Sequence, residues 1–136
     1  MEFNQISETH FSKVAENLNF PEGPAWDGKS TLYVSNCNGD WITKVENENF
    51  SVFLKASNSP FTFEKTNGLT VYKDGSIFAC DFGRGAILKI NPEGKTEIYA
   101  LGYNGNRFSR PNDLAFDKNG NLYFTDPITC YYDESA

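Results

Sequence analysis

One pattern recurs three times along this chain at a fixed interval, and that interval constrains the fold more than any other feature. Glu22, Asn67 and Asn112 head the copies, each 45 residues after the last, and the copies stay in register for at least fourteen further residues without a gap. Leu32, Ile77 and Leu122 correspond, as do Tyr33, Phe78 and Tyr123, then Val34, Ala79 and Phe124, then Ser35, Cys80 and Thr125, then Asn36, Asp81 and Asp126. Between the first two copies the register runs on, pairing Ile42-Thr43-Lys44-Val45 with Ile87-Leu88-Lys89-Ile90. Self-similarity at such a period marks a chain of stacked supersecondary units that bury their faces against one another.

Within each unit the punctuation is that of a small antiparallel sheet. Pro21-Glu22-Gly23-Pro24 sets two prolines within four residues, which removes amide donors and predicts a turn entering a strand rather than the middle of one. Trp26 to Ser30 carries the Asp-Gly signal of a tight hairpin, and short β-rich runs follow at Thr31–Ser35, Trp41–Val45 and Asn49–Leu54. The second unit predicts strands over Gly68–Tyr72, Ile77–Cys80, Ala86–Ile90 and Lys95–Ala100, and the third predicts one over Asn121–Thr125. Helix signals are absent. A four-stranded antiparallel unit at this period is the signature of a β-propeller blade. The expected fold is therefore all-β, a partial propeller over residues 11–136 with blades near 22–56 and 67–101 and the start of a third at 112–136.

Two and a half blades cannot close a ring, and the terminal sheets would present an apolar face and unpaired edges. Pairing with a complementary half-propeller chain, or self-association, is the expected consequence. The joining segments Ala56–Thr66 and Gly102–Pro111 exceed the hairpin turns in length and are expected to be surface loops near a site. Residues 1–10 are polar without apolar periodicity and are expected to be a flexible N-terminal segment. Phe11, Val14 and Leu18 share a helical face, yet Lys13–Asn19 also reads as a weak strand, and the pattern alone leaves both open.

Composition narrows the partners. The chain has the length of one ordinary domain, and 39% hydrophobic with 15% aromatic residues supplies a packed core. A net charge of −6 opposes binding to a phosphate backbone, so no nucleic-acid partner is expected and a small molecule or metal fits better. No apolar run approaches the ~20 residues of a membrane span, and no basic segment leading into an apolar one opens the chain, which predicts a cytoplasmic protein without a membrane partner. Cys37, Cys80 and Cys130 show no CxxC spacing and are expected to be free thiols, and the lone His10 is expected to be exposed.

The heads of the three copies are the chemical feature. Glu22, Asn67 and Asn112 fall at equivalent positions just before the first, axis-lining strand of consecutive blades, so their side chains are expected to converge at one mouth of the channel. One carboxylate and two amide carbonyls form an oxygen-only set suited to Ca²⁺, and the lack of His or Cys argues against a zinc-type site. The alternative is that all three are turn residues, which suits asparagine better than glutamate. Asp81 and Asp126, in register with Asn36, suggest a turn-forming role common to every blade, and Asp113 is read as structural too.

Phe20-Pro21-Glu22-Gly23-Pro24-Ala25-Trp26, Thr66-Asn67-Gly68-Leu69, Arg110-Pro111-Asn112-Asp113-Leu114 and Phe124-Thr125-Asp126-Pro127 together resemble the senescence-marker-protein/gluconolactonase (regucalcin-like) family, its bacterial gluconolactonases most of all. The resemblance runs from about Val14 to Pro127 and covers the N-terminal half of that family's six-bladed propeller. It implies that Lys13–Asn19 is the outer strand of the last blade. It implies Glu22, Asn67 and Asn112 as ligands of a divalent metal, Ca²⁺ first, with Zn²⁺, Mg²⁺ and Mn²⁺ as alternatives. A fourth ligand doubling as the general base would be an aspartate beyond Ala136. Lys65 stands where relatives place a cationic substrate contact, and Arg110 either buttresses its loop or reaches the mouth. The implied activity is metal-dependent hydrolysis of sugar-acid lactones. The alternatives are a calcium- or ligand-binding propeller without catalysis, and an inactive fragment. These 136 residues by themselves are expected to lack lactonase activity.

Overall fold

The computed structural model describes residues 11–58 and 63–127, and over these the chain is all-β. Strands β1 (Pro21–Trp26), β2 (Thr31–Asn36), β3 (Trp41–Glu46) and β4 (Asn49–Lys55) form one antiparallel sheet in sequence order. Strands β5 (Thr66–Val71), β6 (Ile77–Asp81), β7 (Ala86–Ile90) and β8 (Thr96–Ala100) form a second sheet of the same topology. A hairpin of β9 (Gly102–Tyr103) and β10 (Asn106–Arg107) follows, and β11 (Leu114–Phe116) with β12 (Leu122–Phe124) opens a third blade. His10, Cys130 and the 1–10 segment lie outside the described residues. Among the described residues no helix is long and apolar enough to cross a membrane.

The hairpins close through side-chain oxygens that take the place of missing backbone partners. Asp27 Oδ1 accepts the amides of Lys29, Ser30 and Thr31 at 2.8–2.9 Å, and Asp117 Oδ1 accepts those of Asn119 and Asn121 at 2.8 Å. The Thr31 amide above all, with those of Lys29 and Ser30, holds the Asp27 carboxyl below its usual range.

Packing follows the two-residue period of a strand. On β6, Ile77 and Ala79 point into a core shared with Ala25, Ile42 and Leu54 of the first blade and capped by Phe63. Phe78 and Cys80 point the other way, into a core shared with Ile87, Leu114, Phe116, Leu122 and Phe124. Aromatic rings dominate this second junction, where Phe78 meets Phe116 edge to face at 5.0 Å and Tyr72 lies 4.6 Å from Phe116. Every residue of β6 is buried because the middle blade is covered on both faces. Burial pushes the Cys80 thiol up to about 12, with the Asp113 and Asp126 carboxylates adding to the rise. Native protein treated with iodoacetamide at pH 8 is therefore expected to leave Cys80 unlabelled, with modification appearing only in denaturant; native labelling seen by peptide mass mapping would contradict the sealed blade junction.

Three expectations need correction. Pro21–Pro24 lies inside β1 rather than ahead of it. Pro21 pairs with Asn36 and Glu22 with Ser35, then the register shifts before Ala25 pairs with Tyr33. That bulge, with Gly23 at φ 52°, absorbs the prolines, and β1 is the first strand of its sheet, so one side of its backbone needs no sheet partner. The same shift recurs on β5 between Thr66 and Leu69. Second, Lys13–Asn19 is neither strand nor helix: no described strand runs beside it, and it is anchored at Asn19, whose amide donates to Asn36 Oδ1 at 2.8 Å, whose side chain donates to the Asn38 carbonyl at 2.9 Å and whose carbonyl accepts the Asn38 amide at 3.3 Å. Third, Gly102–Pro111 is not all loop: Asn104 and Gly105 at φ 48° and 80° make the two-residue turn that joins β9 to β10.

Candidate functional site

Glu22 and Asn67 sit at the bulges of β1 and β5, and Asn112 lies two residues ahead of β11, so each of three consecutive blades offers one oxygen donor at the same point of its innermost strand. All three are half-buried, and together with Gly23, Pro24, Leu69 and Asp113 they line one cavity of about 250 Å³. Their expected convergence is thus what the structure shows, although two of the three lie within strands rather than before them.

Close approach of the blades brings these donors together. A β-carbon on Gly23 would stand 2.6 Å from the Leu69 amide nitrogen, and one on Gly68 would stand 2.6 Å from the Asp113 α-carbon. Both contacts are with backbone, so only glycine fits. The Gly68 amide donates to the Asn112 carbonyl at 2.7 Å, tying the second blade directly to the third. Gly23, Gly68 and Asp113 are equivalent in the repeat, which makes Asp113 the departure from the rule. Asp113 lines the cavity, and its Oδ1 accepts the Leu114 amide at 2.9 Å. The Leu114 contact agrees with a structural role for Asp113, and its place on the cavity wall adds an acid where the other two copies have glycine.

Asn36, Asp81 and Asp126 act beyond the turns they begin. Asn36 Oδ1 takes the Asn19 amide, Asp81 takes those of Glu64 and Lys65 at 3.1–3.2 Å, and Asp126 takes those of Ser109 and Arg110 at 2.7–3.0 Å. In every blade this oxygen clamps the segment that delivers the first strand. Asp81 also accepts the Arg84 amide at 3.3 Å and has Arg84 Nε at 3.3 Å, an ion-pair distance whose angle falls short of a hydrogen bond.

Lys65 and Arg110 are also equivalents, each two residues before its blade's donor, with Phe20 as the third member. All three are exposed rim residues, and the clamps fix the main chain of the two cations. The Arg110 guanidinium lies over the Phe82 ring, 5.0 Å from its centroid. Cys37 is buried behind this rim. Burial first, and then the Glu22 charge, push its thiol up, while Lys65 opposes them.

The donor set fits a hard divalent cation. Among the described residues no three of His, Cys, Asp and Glu gather to hold a metal, so the mouth offers carboxylate and carboxamide oxygen without nitrogen or sulfur ligands. None of the Glu22, Asn67 and Asn112 side chains is engaged in a hydrogen bond with another described residue.

Residues 20–130 match the SMP-30/Gluconolactonase/LRE-like region family. The chain is 33% identical over 132 residues to a gluconolactonase of Zymomonas mobilis, covering 88% of this chain and 36% of that protein. It superposes on the structure of a gluconolactonase from Xanthomonas campestris with a TM-score of 0.74 and 30% identity, over 84% of this chain and 37% of that one. A streptogramin B lyase shares the fold alone, at a TM-score of 0.66 and 18% identity over 82% of this chain and 36% of that one. The chain thus spans little more than a third of the length of these relatives, and it belongs to the SMP-30/gluconolactonase family.

Proposed function

We propose that this chain carries the cation- and substrate-binding mouth of a gluconolactonase-type hydrolase acting on sugar-acid lactones. The observation that carries the reading is the meeting of Glu22, Asn67 and Asn112, one from each of three blades, around one cavity. These three residues would hold a divalent cation, Ca²⁺ being the best match to neutral and anionic oxygen ligands. Such a cation, when bound, supplies Lewis-acid polarisation of a lactone carbonyl. Glu22 provides the negative charge, Asn67 and Asn112 provide neutral carbonyl oxygens, and Lys65 and Arg110 on the rim attract the hydroxyl and carboxylate oxygens of a sugar acid.

Calorimetric titration with D-gluconate, the acid released from the simplest such lactone, tests the reading. Affinity is expected to rise when Ca²⁺ is present. Lys65→Ala is expected to weaken gluconate binding about three- to tenfold, the scale of one exposed charge contact, while leaving Ca²⁺ affinity unchanged. Gluconate binding indifferent to both Ca²⁺ and Lys65 would overturn it.

A further inference from the structure

Phe82 occupies a junction position, 45 residues after Cys37. In both blades this residue donates its backbone N–H to the carbonyl of its own blade's rim residue, Cys37 to Phe20 at 3.0 Å and Phe82 to Lys65 at 2.8 Å. In the second blade the side chain also meets the rim residue of the next one, the Phe82 ring lying under the Arg110 guanidinium at 5.0 Å. Pro127, the third member, has no N–H to donate, so the arrangement is complete only between the second and third blades. Phe82 is half-buried and belongs to neither buried core cluster. A large aromatic ring held at the rim outside the core is therefore not explained by packing alone.

We propose that Phe82 is a positioning residue for substrate recognition: its amide fixes the Lys65 main chain and its ring fixes the Arg110 guanidinium, which sets the spacing of the two rim cations. The inference rests on the reading that these cations face the substrate. A free arginine loses much rotamer freedom when it grips a ligand, and a guanidinium already stacked on an aromatic face has lost part of it beforehand. Stacking also leaves the edge of the guanidinium, where its N–H donors point, open to ligand oxygens.

The test compares Phe82→Leu, Phe82→Trp and Arg110→Gln in the full chain. Three readouts are followed: the NMR shift of the Arg110 δ-methylene protons, D-gluconate affinity and Ca²⁺ affinity. Phe82→Leu keeps apolar bulk and the backbone N–H. It is expected to abolish the upfield ring-current shift of Arg110 and weaken gluconate roughly three- to fivefold, the scale of an exposed cation–π contact, with Ca²⁺ affinity unchanged. Phe82→Trp is expected to restore both the shift and the affinity. Unaltered gluconate affinity in Phe82→Leu, beside a clear loss in Arg110→Gln, would overturn the positioning role and leave the substrate reading standing. A parallel fall in Ca²⁺ affinity would also overturn it, as the mark of general damage to the mouth. Arg110→Gln without effect on gluconate would overturn the substrate role of Arg110 and the proposal with it.

Discussion

Asp81→Ala is expected to destabilise the fold by about 3 kcal/mol, because it removes a fully buried carboxylate that several N–H groups of a part-buried site share. Those groups are the amides of Glu64, Lys65 and Arg84 and the Arg84 guanidinium. Alanine can accept none of these N–H groups. Two related substitutions separate this cause from simple loss of bulk. Asp81→Asn keeps one acceptor oxygen, as Asn36 does at the equivalent place when it takes the Asn19 amide at 2.8 Å, so its cost is expected to be less than half as large. Asp126→Ala removes the same clamp from Ser109 and Arg110 at an exposed position, where water can replace the lost acceptor, and about 1 kcal/mol is expected. Urea unfolding followed by tryptophan fluorescence measures all three. Equal costs for Asp81→Ala and Asp126→Ala would show that burial of the clamp does not set its contribution.

The 45-residue period was legible because it is written in side chains that alternate between two cores. Tyr33 and Phe78 match as rings, and Val34 and Ala79 match as small apolar residues on the opposite face. Strand existence followed directly, and so did convergence of the three donors, since equivalent residues of stacked blades must lie side by side. What escaped the sequence were places where one rule overrode another. Two prolines in four residues argue against a strand, yet β1 runs through them because its bulge and free edge remove the need for two of its donors. Asn104-Gly105 is a strong hairpin signal, but it sits inside a segment whose length reads as loop. Lys13–Asn19 has strand-like composition, but composition does not supply a neighbouring strand. The clamps of Asn36, Asp81 and Asp126 were visible as a register and not as a function, because their partners lie sixteen or seventeen residues away in the chain.

Glu22→Gln is expected to weaken Ca²⁺ binding at least tenfold, about 1.4 kcal/mol, with no change in the stability of the metal-free protein. Glutamine keeps the length and shape of glutamate, so the Glu22–Ser35 pairing and the approach of Gly23 to the Leu69 amide should survive the change. The lost quantity is the formal charge of the one carboxylate among the three proposed ligands, and affinity for a hard dication depends steeply on ligand charge. Asn67→Ala and Asn112→Ala each remove a neutral oxygen and are expected to weaken binding less per ligand. Asp113→Asn is the necessary companion, because Asp113 lines the same cavity and its charge could sustain binding electrostatically. Calorimetry gives the affinities. A thermal melt gives an independent reading, since a ligand that binds only the folded state raises the melting temperature in proportion to its occupancy. Calcium should therefore raise the midpoint of the parent and Asp113→Asn proteins more than that of Glu22→Gln. An unchanged calcium-induced shift in Glu22→Gln would remove Glu22 from the site, and with it the one charge that distinguishes a cation-binding mouth from a ring of turn residues.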